Sequence, residues 1–303
     1  MTFSKLLVFV AILVLAPGIA DSAGTPLWDT LPDPPAMPAA DDSGFVAHDG
    51  ARLYYAIFNR GAGRPVILLH GGMASSDSWG FEVPKLTGHE VIVMDSRAQG
   101  RSSGSAVPLT YKEMTSDVVA LMDKLHLRRA SVVGASDGAI IGLLLAVGYP
   151  ERIDRLFAWG ANFNTHSERR SLPDPALKAV GKAYLAKAAA DYRRLSPTPD
   201  GFPHLLAALG QMYAKEPNLT PAELGRIRVP TVIADGAYEQ FIEPSHTRLL
   251  ARLIPDATLL IIPDVSHGGP QQNPAAFHNA VTELLDRKAS TATEYSGRVN
   301  VRP

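Results

Sequence analysis

The segment Ala130-Ser-Val-Val-Gly-Ala-Ser136-Asp-Gly-Ala-Ile-Ile-Gly142 constrains this chain more than any other stretch, because it joins a Val-rich apolar run to an apolar helix through a turn of small residues. Ser131-Val-Val has the profile of a strand buried on both faces of a parallel sheet. Ala139 to Tyr149 is apolar almost all round, which predicts a helix packed deep on that sheet. Between them, Gly134-x-Ser136-x-Gly138 is the pattern in which a serine takes a strained backbone conformation and its neighbours must be small. A glycine two residues to either side lets helix and strand approach closely. The turn also sets the helix N-terminus under the hydroxyl, so the backbone N–H of Asp137 can donate to a developing oxyanion.

The chain has 303 residues, 46% hydrophobic and 19% charged, enough for one large α/β domain with an insertion. A formal net charge of −1 and the absence of a Lys/Arg run give no electrostatic footprint for nucleic acid, so small molecules are the expected ligands. At the N-terminus, Lys5 precedes the apolar run Leu6 to Ala16, too short for a bilayer span and of signal-peptide length. Gly18-Ile-Ala20 offers small residues for cleavage, as does Ala20-Asp-Ser22, so residues 1–20 are expected to leave and the mature chain to start near Asp21. The expected location is periplasmic or secreted, with no stable membrane insertion after cleavage. The chain has no Cys, which excludes a lipoprotein anchor, a disulfide framework and thiol chemistry.

Residues 21–44 form a Pro-rich leader without apolar period, to which no function is assigned. Phe45-Val-Ala and Leu53 to Phe58, separated by Asp49-Gly50, predict a β-hairpin. Val66 to Leu69 and Val91 to Met94 read as buried strands, and Leu109 to Leu127 as a helix. After the elbow come strands at Ile153 to Ala161, Val229 to Ala234 and Thr258 to Ile262, with helices at Pro244 to Leu253 and Pro274 to Arg287. The stretch 163–228 carries helical patterns around Ala176 to Tyr192 and Pro203 to Tyr213, and is read as a helical lid. Residues 288–303 are a polar tail. The expectation is therefore an α/β fold: a doubly wound, mostly parallel sheet opened by an antiparallel hairpin, its core formed by residues 45–162 and 229–287. In such sheets reactive groups gather at the carboxyl ends of the strands.

A serine hydroxyl needs an adjacent base, and the base needs an orienting carboxylate. His267 lies in Asp264-Val-Ser-His267-Gly-Gly-Pro270, a Gly-rich turn between the last strand and last helix, which can carry an imidazole over the elbow. Asp235 and Glu239 both follow the preceding strand. Asp235 abuts the strand and Gly236 and can serve as a turn residue, whereas Glu239 lies further out where it reaches His267 more easily. Glu239 is the favoured acid and Asp235 the alternative. The second oxyanion donor is expected from Gly71-Gly72-Met73, with Gly72 first and Met73 second. His70 is read as structural, and Asp95 with Arg97 as a turn brace. Around the pocket, Phe163, Phe202, His204, Met212 and Phe241 are candidate linings, although such residues also serve as packing.

The ordered set His70-Gly71-Gly72, Asp95-x-Arg97-x-x-Gly100-x-Ser102, Gly134-x-Ser136-x-Gly138, a late acid and Val265-Ser-His267 resembles the serine-nucleophile branch of the α/β-hydrolase fold family over roughly residues 45–287. The resemblance implies a Ser136, Glu239, His267 triad, a helical cap inserted after the sixth strand, and no cofactor or metal. Two departures stand out: Glu239 where Asp is usual, and Ala139 where a second Gly often follows. Within the family, Ser136-Asp137-Gly138, Tyr149-Pro150 and Trp159-Gly-Ala-Asn162 are similar to the valacyclovir-hydrolase-like group, which cleaves esters of α-amino acids. That resemblance implies a substrate ammonium on Asp137; Trp159, Phe163 and Phe241 are expected beside the substrate. An acid in the first helical turn is also stabilised by the helix dipole, by ~0.3–1 kcal/mol, without any ligand.

These residues point to an exported serine hydrolase acting on a small-molecule carboxylic ester or lactone. The alternatives are an α-amino-acid ester hydrolase, a cofactor-free perhydrolase and a binding protein on a hydrolase scaffold. A dehalogenase or epoxide hydrolase would need a carboxylate where Ser136 stands.

Overall fold

The computed structural model describes residues 25–167 and 175–287. The expected export segment 1–20, the start of the leader, part of the lid and the polar tail lie outside the described residues. The hairpin is formed by β1 (Asp42–His48) and β2 (Ala51–Phe58), joined at Asp49-Gly50, whose φ values of 40° and 78° supply the positive angles that a two-residue turn requires. It leads into β3 (Pro65–Leu69), β4 (Glu90–Met94), α1 (Tyr111–Lys124), β5 (Ala130–Ala135), α2 (Asp137–Gly148) and β6 (Ile153–Trp159). The insertion carries α3 (Pro175–Leu195), α4 (Phe202–Tyr213) and α5 (Pro221–Leu224). The chain returns through β7 (Thr231–Gly236), α6 (Pro244–Leu253), β8 (Ala257–Ile262), α7 (Gly269–Gln272) and α8 (Pro274–Leu285).

The eight strands make one sheet in the order β1-β2-β4-β3-β5-β6-β7-β8. From β4 to β8 every neighbouring pair is parallel, and only the hairpin strands run antiparallel. The expected doubly wound sheet is present, with its helical insertion after the sixth strand. Both faces are covered, as the apolar runs predict. Along β3, Ile67 and Leu69 face the core shared with α1 and α2, while Val66 and Leu68 face the core shared with α8. The same alternation splits Leu156 and Ala158 from Phe157 and Trp159 in β6. One boundary moves in a way that matters. β7 extends to Gly236, so Asp235 lies within the strand rather than just beyond it.

The leader is tied down. Its first described residues make a short 3₁₀ turn, Leu27–Asp29, and the Trp28 ring stacks on Tyr238 with centroids 4.9 Å apart. Gln272 Nε2 donates to the Thr30 carbonyl at 2.9 Å, and Asp33 pairs with Lys187 of α3 at 2.9 Å. The stretch with no apolar period thus runs from the loop that carries Glu239 to the cap.

Candidate active site

The elbow forms because two glycines let backbone meet backbone. A Cβ on Gly134 would stand 2.3 Å from the Gly138 carbonyl oxygen, and one on Gly138 would stand 2.1 Å from that of Leu69, so no other residue fits at either position. Between them Ser136 sits at φ 53° and ψ −117°, left-handed backbone that costs a non-glycine residue of order 1–3 kcal/mol. Its N–H donates to the Trp159 carbonyl at 2.8 Å, which ties the elbow to the end of β6. α2 starts one residue later, at Asp137, so the helix N-terminus lies directly after the serine.

His267 comes to the same strand end. A Cβ on Gly160, the residue after β6, would lie 2.7 Å from His267 Cε1. The His267 carbonyl accepts from Trp159 Nε1 at 2.8 Å, and its N–H donates to Gln240 Oε1 at 2.9 Å. Glu239 Oε2 lies 2.7 Å from His267 Nδ1, while its other oxygen accepts from Phe241 N–H at 2.6 Å. With Nδ1–H donating to the carboxylate, the neutral ring carries its lone pair on Nε2. Burial pushes Glu239 up, but the His267 charge and hydrogen bond outweigh it and hold the carboxyl at about 2. Burial pushes His267 down, yet the charge and hydrogen bond of Glu239, with the more distant Asp137, raise the imidazole above its usual range.

Asp235 stands behind this pair. It accepts from Thr247 Oγ1 at 2.7 Å and from Gly236 N–H at 3.0 Å, and it shares a hydrogen bond with Glu239. Burial first, then the charge of Glu239, push its carboxyl well above the ordinary range, so of the two acids Glu239 is the one that favours the charged form. Donor atoms of Asp235, Glu239 and His267 lie within 4.8 Å of one another, a spacing that a small cation could use. Here they are engaged with each other.

The Gly71-Gly72-Met73 loop is built from its peptides outward. Ser96 N–H donates to His70 Nε2 at 2.9 Å, so His70 Nδ1 carries the proton that it gives to the Gly71 carbonyl at 2.7 Å. Ala74 N–H donates to the same carbonyl at 3.2 Å. In a trans peptide the N–H points opposite to the C=O, so the Gly72 N–H is directed away from both donors. Met73, the second expected donor, is otherwise engaged: its N–H donates to Gln99 Oε1 at 2.6 Å. Of the two expected donors, Met73 is thus the one whose N–H is taken up by a side chain.

The other expected residues divide. Phe241 is half exposed, with its ring edge-on to His267 at 4.9 Å between centroids. Phe163 is buried and stacked on His246 at 4.2 Å, so it packs rather than lines. Trp159 corrects the expectation of a substrate contact. Its ring lies on the opposite sheet face, against Phe277 at 5.8 Å, and its indole N–H holds the His267 loop. Asp95 and Arg97 brace separate turns: Asp95 accepts from the N–H groups of Ser76 and Arg101, and Arg97 forks onto Asp117. Asp137 is fully buried and accepts from Tyr111 Oη at 2.7 Å and Tyr213 Oη at 2.8 Å. Sequence reading missed both tyrosines, together with Gln99 and the Gln240 contact.

No helix among the described residues is long and apolar enough to cross a membrane. The family model described as the alpha/beta hydrolase family matches residues 66–280. The RutD protein of Caulobacter sp. (strain K31), named for carbamate hydrolysis, is 29% identical over 277 residues, covering 78% of this chain and 97% of its own. Rhodomycin D methylesterase DauP of Streptomyces sp. (strain C5) is 30% identical over 296 residues, covering 82% of this chain and 98% of its own. Among solved structures, that of Est816, described as an N-acyl homoserine lactone degrading enzyme, superposes with a TM-score of 0.62 at 25% identity, over 79% of this chain and 99% of that one. On the sheet, the elbow and the family match together, this chain belongs to the alpha/beta hydrolase family.

Proposed function

We propose that this chain is a serine hydrolase that cleaves a carboxylic ester or lactone of a small molecule through an acyl-enzyme. One observation carries the reading: Glu239 fixes the Nδ1–H tautomer of His267 at the same strand end to which Ser136 is tied. His267 Nε2 takes the Ser136 proton as Oγ attacks the acyl carbon, and the N–H groups of Gly72 and Asp137 hold the oxyanion. The imidazolium then protonates the leaving alkoxide, and water repeats the sequence to release the acid. Carbamates, methyl esters and lactones, the compounds named for the three relatives, share an acyl carbon bearing a heteroatom leaving group.

The test is labelling of the full chain with a fluorophosphonate, read by intact mass, beside a panel of esters and lactones. One adduct per chain is expected. kcat/KM should fall tenfold per pH unit below a limb lying above the ordinary imidazole range of ~6.5. The sign follows from His267: its raised pKa means that the base is lost to protonation earlier as pH falls. A flat profile from pH 5 to 8 for the best ester counts against the reading.

A second substrate class rests on the buried carboxylate of Asp137, one residue from Ser136 and within electrostatic reach of His267. Two phenols occupy part of its acceptor capacity, and a carboxylate has about four lone-pair sites. α-Amino esters are therefore compared with their desamino analogues. A preference of tenfold or more in kcat/KM for the amine, lost in Asp137→Asn, is expected if the carboxylate binds ammonium; equal rates remove this class. The export reading of residues 1–20, which places the enzyme in the periplasm or outside the cell, rests on the sequence alone.

A further inference from the structure

Three tyrosines from three elements converge on the two residues assigned to the oxyanion hole. Tyr184, on cap helix α3, donates its hydroxyl to the Gly72 carbonyl at 2.8 Å. Tyr213, in the last turn of cap helix α4, and Tyr111, in the first turn of α1, both donate to the Asp137 carboxylate. The fit around Gly72 is close: a Cβ there would lie 2.1 Å from Tyr213 Oη and 2.6 Å from Asp137 Oδ2. Tyr213 therefore touches both donor residues at once. At the far end of α3, Arg194 pairs with Asp77 of the core at 3.4 Å, a separate tie between cap and core that touches neither donor residue nor any of the three tyrosines.

The peptide between Gly72 and Met73 is pinned at both ends, its carbonyl by Tyr184 from the cap and its N–H by Gln99 from the core. The peptide before Gly72 is pinned by His70 and Ala74. Gly72 has no side chain to hold it, so its backbone direction depends on these neighbours. Asp137 begins a helix, and the cap grips it by its carboxylate.

We propose that Tyr184 and Tyr213 are positioning residues of the oxyanion hole, through which the docked cap sets the direction of the Gly72 and Asp137 N–H groups. The proposal rests on the serine-hydrolase reading above. It makes the cap a part of the catalytic geometry as well as a wall of the pocket. Neither hydroxyl touches the reacting atoms, so the expected effect is smaller than the loss of a whole donor, which costs ~10²–10³ in rate.

The experiment compares Tyr184→Phe, Tyr213→Phe and the double variant with Arg194→Ala, using the best ester, a boronic-acid transition-state analogue and the product acid. Each tyrosine variant is expected to lower kcat about tenfold with KM within twofold, because a small misplacement of a donor is felt mainly in the transition state. Affinity for the boronic acid should fall in parallel, and affinity for the product acid should hold. Arg194→Ala loosens the cap at a point away from the hole and should leave kcat within twofold. Thermal melts of all four variants establish that they are folded, and the two tyrosines lie on different helices, so either variant alone suffices. The proposal is overturned if both tyrosine variants keep the wild-type kcat, if they raise KM alone, or if Arg194→Ala lowers kcat equally. A folded wild type that takes no fluorophosphonate and turns over no ester removes the hydrolase reading, and this proposal with it. Labelled, active wild type with unaffected variants removes this proposal only.

Discussion

Ser136→Ala is expected to abolish fluorophosphonate labelling and to lower kcat by about 10⁴-fold or more, since loss of a nucleophile that works as a unit with its base costs on that order. The fold should be indifferent to the change. The serine hydroxyl makes no capping hydrogen bond to α2, and alanine meets the same φ of 53° with the same Cβ, so the strain is carried over unchanged. Denaturation is therefore expected within ~1 kcal/mol of wild type, the range for substitutions that remove no packed group. What remains is binding and the oxyanion donors, which by themselves support a small residual rate. Intact mass after labelling, initial rates and a urea titration check the three statements together. A variant that still accepts the label would move the nucleophile elsewhere, and a variant that unfolds would make Ser136 structural.

Much of this architecture is legible in local pattern because each element satisfies a local condition. Asp49-Gly50 supplies positive φ between two alternating runs, and β3 to β6 are apolar on both parities because both sheet faces are covered. The elbow is legible for the same reason: Gly134 and Gly138 are required by contacts made within a few residues, or with the adjacent strand. Trp159 was misassigned although the signal was present. Its parity in β6 matches Phe157 rather than Ala158, which puts it on the α8 side of the sheet, away from the face on which α2 packs. The tyrosines that grip Gly72 and Asp137 had no such signal. Tyr111 lies on a core helix and Tyr184 and Tyr213 on two cap helices, and only the docking of the cap brings their hydroxyls together. The leader was unreadable for a related reason: its hold on the core runs through Trp28 and backbone carbonyls, which leave no periodic trace.

Glu239→Gln is expected to lower kcat by about 10³–10⁴-fold, whereas Asp235→Asn stays within about fivefold of wild type, and the contrast decides which of the two acids serves His267. The first expectation follows from tautomer and charge. A glutamine amide facing Nδ1 can present N–H where the imidazole also has N–H, which turns the ring toward the wrong tautomer, an effect of ~10⁴ where the corresponding carboxylate of a serine protease was changed to its amide. It also removes the charge that raises His267, so the acid limb of the residual activity should move to lower pH. Asp235 differs because burial and the neighbouring charge push its carboxyl well above the ordinary carboxylate range, so of the two acids it is the one that favours the neutral form, its proton directed toward Glu239. Asparagine has the same shape, the same zero charge and an N–H to give Glu239, while its oxygen still accepts from Thr247 or Gly236. The acid limb should therefore stay where it is. Had Asp235 been ionised, its removal would have taken away a negative charge near the imidazole and lowered that limb by about a pH unit. A collapse in Asp235→Asn beside a mild Glu239→Gln would reverse the assignment and make the strand-end aspartate the partner of His267.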